Sequence, residues 1–191
     1  MAPKDQGLIY QLKITLYDSK PPIWRRVLVP GNITLGELHR VIQAAMGWYN
    51  CHLHQFVIGN RYYGDPAVDL SYEVWNENDA LIHQVVPGEG FKFSYEYDFG
   101  DGWLHNILVE KILPPDPERA LPVCLKGRRA CPPEDVGGIW GYYDFLEALQ
   151  DPNHPEHTTY LEWIGGRWDA EAFDLDETNN RLKFVWTGLG Y

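Results

Sequence analysis

Polar and apolar residues alternate along the first part of the chain. In residues 8–17, Tyr10, Leu12, Ile14 and Leu16 fall on one face, and mainly polar residues fall on the other. This two-residue period is typical of a half-buried β-strand. After a break at Pro21-Pro22, residues 23–29 predict a second strand. The two strands are close enough in sequence to pair as an antiparallel hairpin.

The next segment has helical periodicity. Thr34 suits the N-cap, and Glu37 three residues later completes a capping box. Gly47 ends the pattern. The apolar residues between them follow the spacing of an amphipathic helix: Leu35, Leu38, Val41, Ile42, Ala45 and Met46.

Alternation returns in the middle of the chain. It predicts strands over residues 52–58, 61–63, 91–98 and 103–113, with the last two joined by a hairpin turn at Gly100-Asp101-Gly102. Residues 64–90 are polar and rich in turn residues, and they predict one short helical turn near residues 79–85.

The C-terminal third changes period. Residues 118–141 are predicted as a loop, and helices are predicted over residues 142–150, 156–164 and 176–184. The order of elements predicts an α+β fold with an antiparallel or mixed sheet and C-terminal helices. Its strand-strand-helix-strand start resembles a β-grasp, by analogy. We predict a single domain over residues 8–184, with flexible termini at residues 1–7 and 185–191.

Composition and charge narrow the class of protein. The chain has 191 residues, of which 45% are hydrophobic and 23% charged, as in ordinary globular domains. It has no apolar run long enough for a membrane helix and no apolar core near its start, and it has three cysteines. These features predict a cytoplasmic protein without a membrane partner.

The net charge of −11 disfavours direct binding to nucleic acid. Residues 144–180 alone carry ten acidic side chains and one basic side chain. Two arginine pairs, Arg25-Arg26 and Arg128-Arg129, run against this trend. We interpret them as solvated or paired with carboxylates.

Several ordered strings of residues resemble one known family. They are Pro22-Ile23-Trp24-Arg25-Arg26, Thr34-Leu35-Gly36-Glu37-Leu38-His39, His52-Leu53-His54-Gln55-Phe56, Tyr97-Asp98-Phe99-Gly100-Asp101-Gly102-Trp103-Leu104-His105, Cys131-Pro132-Pro133-Glu134-Asp135, Gly137-Gly138, Gly141-Tyr142 and Ala172-Phe173-Asp174. Together they resemble the plasmid pRiA4b ORF-3-like family, from about residue 10 to about residue 182.

The resemblance implies a small α+β domain, and some members carry names that suggest a transposon resolvase. The residues do not favour recombination, because the three serines, Ser19, Ser71 and Ser94, have no arginine cluster nearby in sequence. Relatives often have Cys-Gly-Gly where this chain has Val136-Gly137-Gly138. A cysteine that could serve relatives as a metal ligand is therefore missing here.

Histidines and cysteines raise the possibility of a metal site. His52 and His54 are two residues apart on a predicted strand, so their side chains would point the same way. With His105, Cys124 and Cys131 they could hold zinc, and Glu134 or Asp135 could then act as a catalytic base. The alternative is that the histidines form hydrogen bonds at the sheet edge and the cysteines are small buried apolar groups.

Aromatic residues favour a binding surface. The chain has 8 Trp, 12 Tyr and 7 Phe, and many of them fall at element ends, where they could stack on a ligand or close the core. Asp98 and Asp101 suit a turn. The residues expected to contribute to binding are Trp24, Arg25, Arg26, His52, His54, Asp98, Asp101, Trp103 and His105.

The sequence leaves three candidate functions open. The first is a non-enzymatic binding or interaction module for a protein or small-molecule partner. The second is a metal-dependent, zinc-type enzyme such as a hydrolase. The third is a DNA-handling protein associated with a mobile element, against which the acidic charge counts. The sequence leaves enzymatic activity undecided, with the balance against it.

Overall fold

The N-terminal strands pair as the alternation predicts. A computed structural model describes residues 7–187. In it, β1 (Ile9–Leu16) and β2 (Trp24–Pro30) form an antiparallel hairpin. The inward residues Leu12 and Ile14 are fully buried, which confirms that one face of the hairpin packs on the core.

The first helix has the predicted ends. Helix α1 (Leu35–Met46) has Thr34 as its N-cap, and both hydrogen bonds of the capping box with Glu37 are present. Gly47 ends it with φ of 102°, in the left-handed region, where glycine is favoured. Nearly every residue of the helix is buried, because it packs on the sheet and is also covered by C-terminal elements.

Within residues 7–187, eight strands form one mixed sheet, which confirms the predicted fold class. The further strands are β3 (His54–Ile58), β4 (Arg61–Gly64), β5 (Val74–Asn76), β6 (Lys92–Tyr97), β7 (Trp103–Leu113) and β8 (Val123–Arg128). Their order is β5-β4-β3-β6-β7-β1-β2-β8. Neighbours are antiparallel except for β4 and β5, which are parallel.

The segment predicted as a loop over residues 118–141 contains a strand. β8 pairs antiparallel with β2 and forms the edge of the sheet. It has no clear alternation because it includes Lys126, Gly127 and Arg128 and is buried mainly at Cys124. The tertiary pairing with β2 therefore decides its conformation.

The helical C-terminal third is confirmed, with shifted ends. A short helix, α2 (Ile82–Val85), occupies the predicted turn region, and α3 (Gly138–Gln150), α4 (His157–Trp163) and α5 (Leu175–Leu182) follow. Helix α3 begins four residues before its predicted start, at a Gly-Gly pair whose residues both have positive φ. Sequence patterns assign such a pair to a turn, which explains the difference.

Ordered contacts continue beyond α5. Val185 is buried, and the indole nitrogen of Trp186 donates a hydrogen bond to the carbonyl oxygen of Leu121 at 3.1 Å. The rest of the predicted flexible termini, residues 1–6 and 188–191, lies outside the described residues. Within residues 7–187, no helix is both long enough and apolar enough to cross a membrane.

Candidate functional site

Two of the expected binding residues lie in the core. Trp103 and His105 are 1% and 0% exposed. His105 Nδ1 lies 2.9 Å from the carbonyl oxygen of Trp103, and burial lowers the pKa of His105 to about 4. Both side chains therefore pack inside the protein, where they help to position the residues around them.

The side chains of Arg25 and Arg26, on β2, contact other groups of the protein. Arg25 is buried; its Nε donates to the carbonyl oxygen of Ala45 at 3.0 Å, and its guanidinium lies 4.5 Å from the ring centre of Phe173. Arg26 forms a bidentate pair with Glu110 and also lies over the ring of Trp24. The interpretation as solvated or paired with carboxylates therefore agrees with Arg26 and is wrong for Arg25, which is buried and donates to a backbone carbonyl oxygen.

The two cysteines of the expected metal set lie apart from its histidines. Cys124 is buried on β8, and its Sγ lies 3.5 Å from the carbonyl oxygen of Lys126. Burial raises the pKa of the thiols of Cys124 and Cys131. Neither belongs to a group of three or more potential metal ligands among residues 7–187.

His54 belongs to a buried polar network that sequence reasoning missed. Its Nε2 lies 2.8 Å from Glu77, and its ring stacks on His39 with centroids 3.4 Å apart. His39 contacts Tyr95 Oη at 2.8 Å and Asn50 Oδ1 at 2.6 Å. Burial lowers the pKa of His39 to about 3. In the sequence, the sign of this network is His39, a polar residue on the buried side of α1.

His52 has different partners from His54, with which the sequence pattern groups it. It precedes β3, whose first residue is His54, so the two do not share a strand face. Its Nε2 lies 3.1 Å from Asp135 Oδ1 and 3.7 Å from Asp98 Oδ2. These three residues, hereafter the His-Asp-Asp cluster, offer ligand atoms that all lie within 4.8 Å of one another.

Asp98 is held in the turn between β6 and β7. Its Oδ1 accepts hydrogen bonds from the backbone nitrogens of Gly100 at 2.9 Å and Asp101 at 3.3 Å. Its own backbone nitrogen donates to the carbonyl oxygen of Leu53, the neighbour of His52, at 2.8 Å. These bonds direct the second carboxylate oxygen toward His52.

The loop that carries Asp135 is also held at several points. Asp101 Oδ2 accepts a hydrogen bond from the backbone nitrogen of Gly137 at 3.1 Å. Glu134 Oε1 accepts from Tyr97 Oη at 2.7 Å and from the backbone nitrogen of Tyr49 at 3.1 Å. Burial, followed by the hydrogen bond to Glu134, raises the pKa of Tyr97. The phenol therefore stays protonated and keeps donating at neutral pH.

A large cleft opens beside this loop, and we call it the aromatic cleft. Its cavity volume is about 650 Å³, within the range of ligand sites. It lies between the end of α1, residues 130–135 and the segment from α4 to α5. Its lining includes five aromatic residues, two arginines and four carboxylates: Trp48, Tyr49, Trp163, Trp168, Phe173, Arg25, Arg181, Glu134, Asp135, Asp174 and Glu177.

Another cleft, of about 380 Å³, is lined in part by the segment that carries His52. His52 and His54 line it, together with Glu77 and Phe99. Within the His-Asp-Asp cluster, His52 therefore lines the smaller cleft and Asp135 lines the aromatic cleft.

Comparisons with known proteins give one family model and two similar proteins. The model of the family described as "Plasmid pRiA4b ORF-3-like protein" matches residues 8–177. The protein y4hQ of Sinorhizobium fredii is 41% identical over 176 residues, covering 91% of this chain and 90% of the relative. The crystal structure of MM3350, a protein of unknown function from Methanosarcina mazei Go1, has a TM-score of 0.79 at 35% identity and covers 90% of this chain and 97% of its own.

Proposed function

The chain belongs to the plasmid pRiA4b ORF-3-like family, and we propose that it is a non-enzymatic binding module. Its ligand is a segment of a partner protein that carries lysine or arginine, and the aromatic cleft is the binding site. The observation that carries this proposal is the lining of that cleft, which combines aromatic walls with an acidic rim.

The aromatic walls suit a cationic side chain. Trp163 is 46% exposed at the cleft, and its indole packs edge-on against Phe145 with centroids 5.9 Å apart. The ring is therefore fixed in place while a large part of its surface remains available. A guanidinium or ammonium group over such a ring is attracted by its electron-rich face.

The charge of the cleft favours the same ligand. Asp135, Asp174 and Glu177 are exposed at its rim. The two arginines of the cleft are already engaged: Arg25 donates to the carbonyl oxygen of Ala45, and Arg181 Nε donates to that of Ala44 at 2.9 Å. Arg181 also pairs with Glu177 at 2.7 Å, so the attraction for a cationic ligand comes mainly from Asp135 and Asp174. The positive charges of these arginines stabilise the C-terminal end of the α1 dipole, whose last turn has no basic residue of its own. The net charge of −11 further attracts basic partners.

Fluorescence anisotropy with short labelled peptides tests the proposal. We expect a lysine- and arginine-containing peptide to bind saturably, with an affinity that falls as salt rises, and a glutamate-containing peptide of equal length not to bind. Trp163→Ala should weaken binding about tenfold, since a desolvated cation–π contact with tryptophan contributes about 1–2 kcal/mol.

Trp140→Ala is the matched control. Trp140 is 74% exposed on α3 and does not line the aromatic cleft, so its removal should leave the affinity unchanged. Equal binding of basic and acidic peptides, equal effects of the two tryptophan variants, or no saturable binding of basic peptides would contradict the proposal.

A metal-dependent enzyme is the second candidate, and the His-Asp-Asp cluster is the observation that favours it. In such an enzyme the candidate base would be Glu134, the residue that precedes Asp135 of the cluster. Its Oε1, however, already accepts hydrogen bonds from Tyr97 and Tyr49, so this oxygen is engaged in holding the loop. The binding module is therefore the better-supported function.

A further inference from the structure

We propose that His52, Asp98 and Asp135 bind a divalent first-row transition-metal ion of the zinc type. This inference is distinct from the proposed peptide cleft: Asp135 belongs to both sites, but His52 and Asp98 do not line the cleft. It also differs from the expected metal set, because two carboxylates replace His54, His105 and both cysteines as ligands.

The distances between the ligand atoms fit a shared ion. Zinc lies about 2.0–2.2 Å from nitrogen and oxygen ligands, so neighbouring ligand atoms on one ion lie about 3.0–3.5 Å apart. His52 Nε2 is 3.1 Å from Asp135 Oδ1 and 3.7 Å from Asp98 Oδ2. The ligand atoms of Asp98 and Asp135 lie within 4.8 Å of each other, so their side chains would have to approach by up to about 1 Å to share one ion.

Two of the three ligands are positioned by other bonds. The Oδ1 of Asp98 is occupied by the backbone nitrogens of its own turn, which leaves Oδ2 for an ion. The loop with Asp135 is held by the bond from Gly137 to Asp101 and by the two bonds to Glu134. Such supporting hydrogen bonds orient the ligands of metal sites.

The donor set determines the class of ion. One imidazole and two carboxylates suit zinc, manganese or iron better than magnesium or calcium, which prefer oxygen ligands alone. Three protein ligands leave at least one coordination position for water or substrate. The side chain of Asp135 is 71% exposed, so an ion could reach the site from solvent.

Isothermal titration with Zn²⁺, supported by native mass spectrometry, is the experiment. We expect one ion per chain in the chelator-treated wild-type protein. Asp98→Asn, Asp135→Asn and His52→Gln should each weaken binding at least tenfold. Asparagine tolerates the positive φ of both aspartates, 58° and 60°, and the amide oxygen introduced by Asp98→Asn would still accept the turn hydrogen bonds. Asp135→Asn alters an exposed side chain, so it tests the site even if Asp98→Asn destabilises the fold.

Asp144→Asn is the control for the carboxylate variants. It removes one exposed carboxylate on α3 and should leave zinc affinity unchanged. Co²⁺ provides a second measurement: the proposed ligands give d–d absorption without a thiolate charge-transfer band. Saturable binding that survives all three ligand variants, a thiolate band that disappears on mutation of Cys131, or no stoichiometric binding would each overturn the proposal.

The two proposals can fail separately. Trp163→Ala should leave zinc affinity unchanged, because Trp163 does not belong to the His-Asp-Asp cluster. Asp98→Asn should leave peptide affinity unchanged in metal-free protein, because Asp98 does not line the aromatic cleft. A result in which zinc binds and no peptide binds refutes the binding module only, and the reverse result refutes the metal site only.

Discussion

Acid should destabilise this fold at a pH where most carboxylates are still ionised. His39 is 4% exposed and His105 is fully buried. Burial lowers the pKa of His39 to about 3 and that of His105 to about 4, from 6.5 in the unfolded chain. The folded protein therefore keeps both imidazoles neutral at pH values where the unfolded chain protonates them.

The sign and the size of the effect follow from proton linkage. Both pKa values are lower in the folded state, so the stability they contribute is present above pH 6.5 and is lost as the pH falls below it. The loss continues until the pH reaches the folded pKa values. Between about pH 7 and about pH 5, each histidine reduces the free energy of unfolding by about 2 kcal/mol. Together they remove about 4 kcal/mol, a large fraction of the usual stability of a domain.

Urea denaturation followed by tryptophan fluorescence at about pH 7, 6 and 5 measures this effect. His105→Gln removes one titrating group, so its loss of stability across this range should be about 2 kcal/mol smaller than in the wild type. His39→Gln should give the same reduction independently. His154→Gln, in the loop between α3 and α4, is the control and should retain the wild-type pH dependence. If the stabilities of all four proteins fall in parallel with pH, buried histidines do not cause the loss.

Two further predictions concern the supports of the candidate site. Gly138→Ala should lower the free energy of unfolding, measured in urea, by more than about 2 kcal/mol, because the new Cβ would lie 2.3 Å from the carbonyl oxygen of Asp101. Gly165→Ala is the control: Gly165 also has positive φ but lies in open space, so the substitution should lower the free energy of unfolding by only about 1–2 kcal/mol. Arg25→Met should lower stability by about 1–3 kcal/mol in thermal denaturation, because it leaves the buried carbonyl oxygen of Ala45 without its donor. Stability equal to wild type in either Gly138→Ala or Arg25→Met would contradict the corresponding argument.

Local patterns were sufficient to predict most of the fold. The alternation of β1 and the capping box of α1 involve residues close together in sequence, so their physical causes can be seen in the sequence. β8 could not be predicted in this way. Its conformation depends on pairing with β2, a segment far earlier in the chain, and its own residues show no clear period.

The candidate site was predicted in its residue types but not in its arrangement. The sequence indicates that His52, Asp98 and Asp135 are chemically capable residues, but it predicts His52 and His54 on one strand, whereas that strand begins only at His54. Their convergence depends on three separate segments: the residues before β3, the turn after β6 and the loop before α3. Sequence spacing contains no information about such convergence unless the segments follow a known template.

The end of α1 explains why the two proposed sites are neighbours. Gly47 turns the chain out of the helix, and the next residues bind the loop on which both sites depend: Trp48 Nε1 donates to the carbonyl oxygen of Pro132 at 3.0 Å, and the backbone nitrogen of Tyr49 donates to Glu134 at 3.1 Å. This loop lines the aromatic cleft and carries Asp135. A ligand that displaced it would therefore change the position of a proposed metal ligand. By thermodynamic linkage, an ion that fixed Asp135 would change the affinity of the cleft by the same factor.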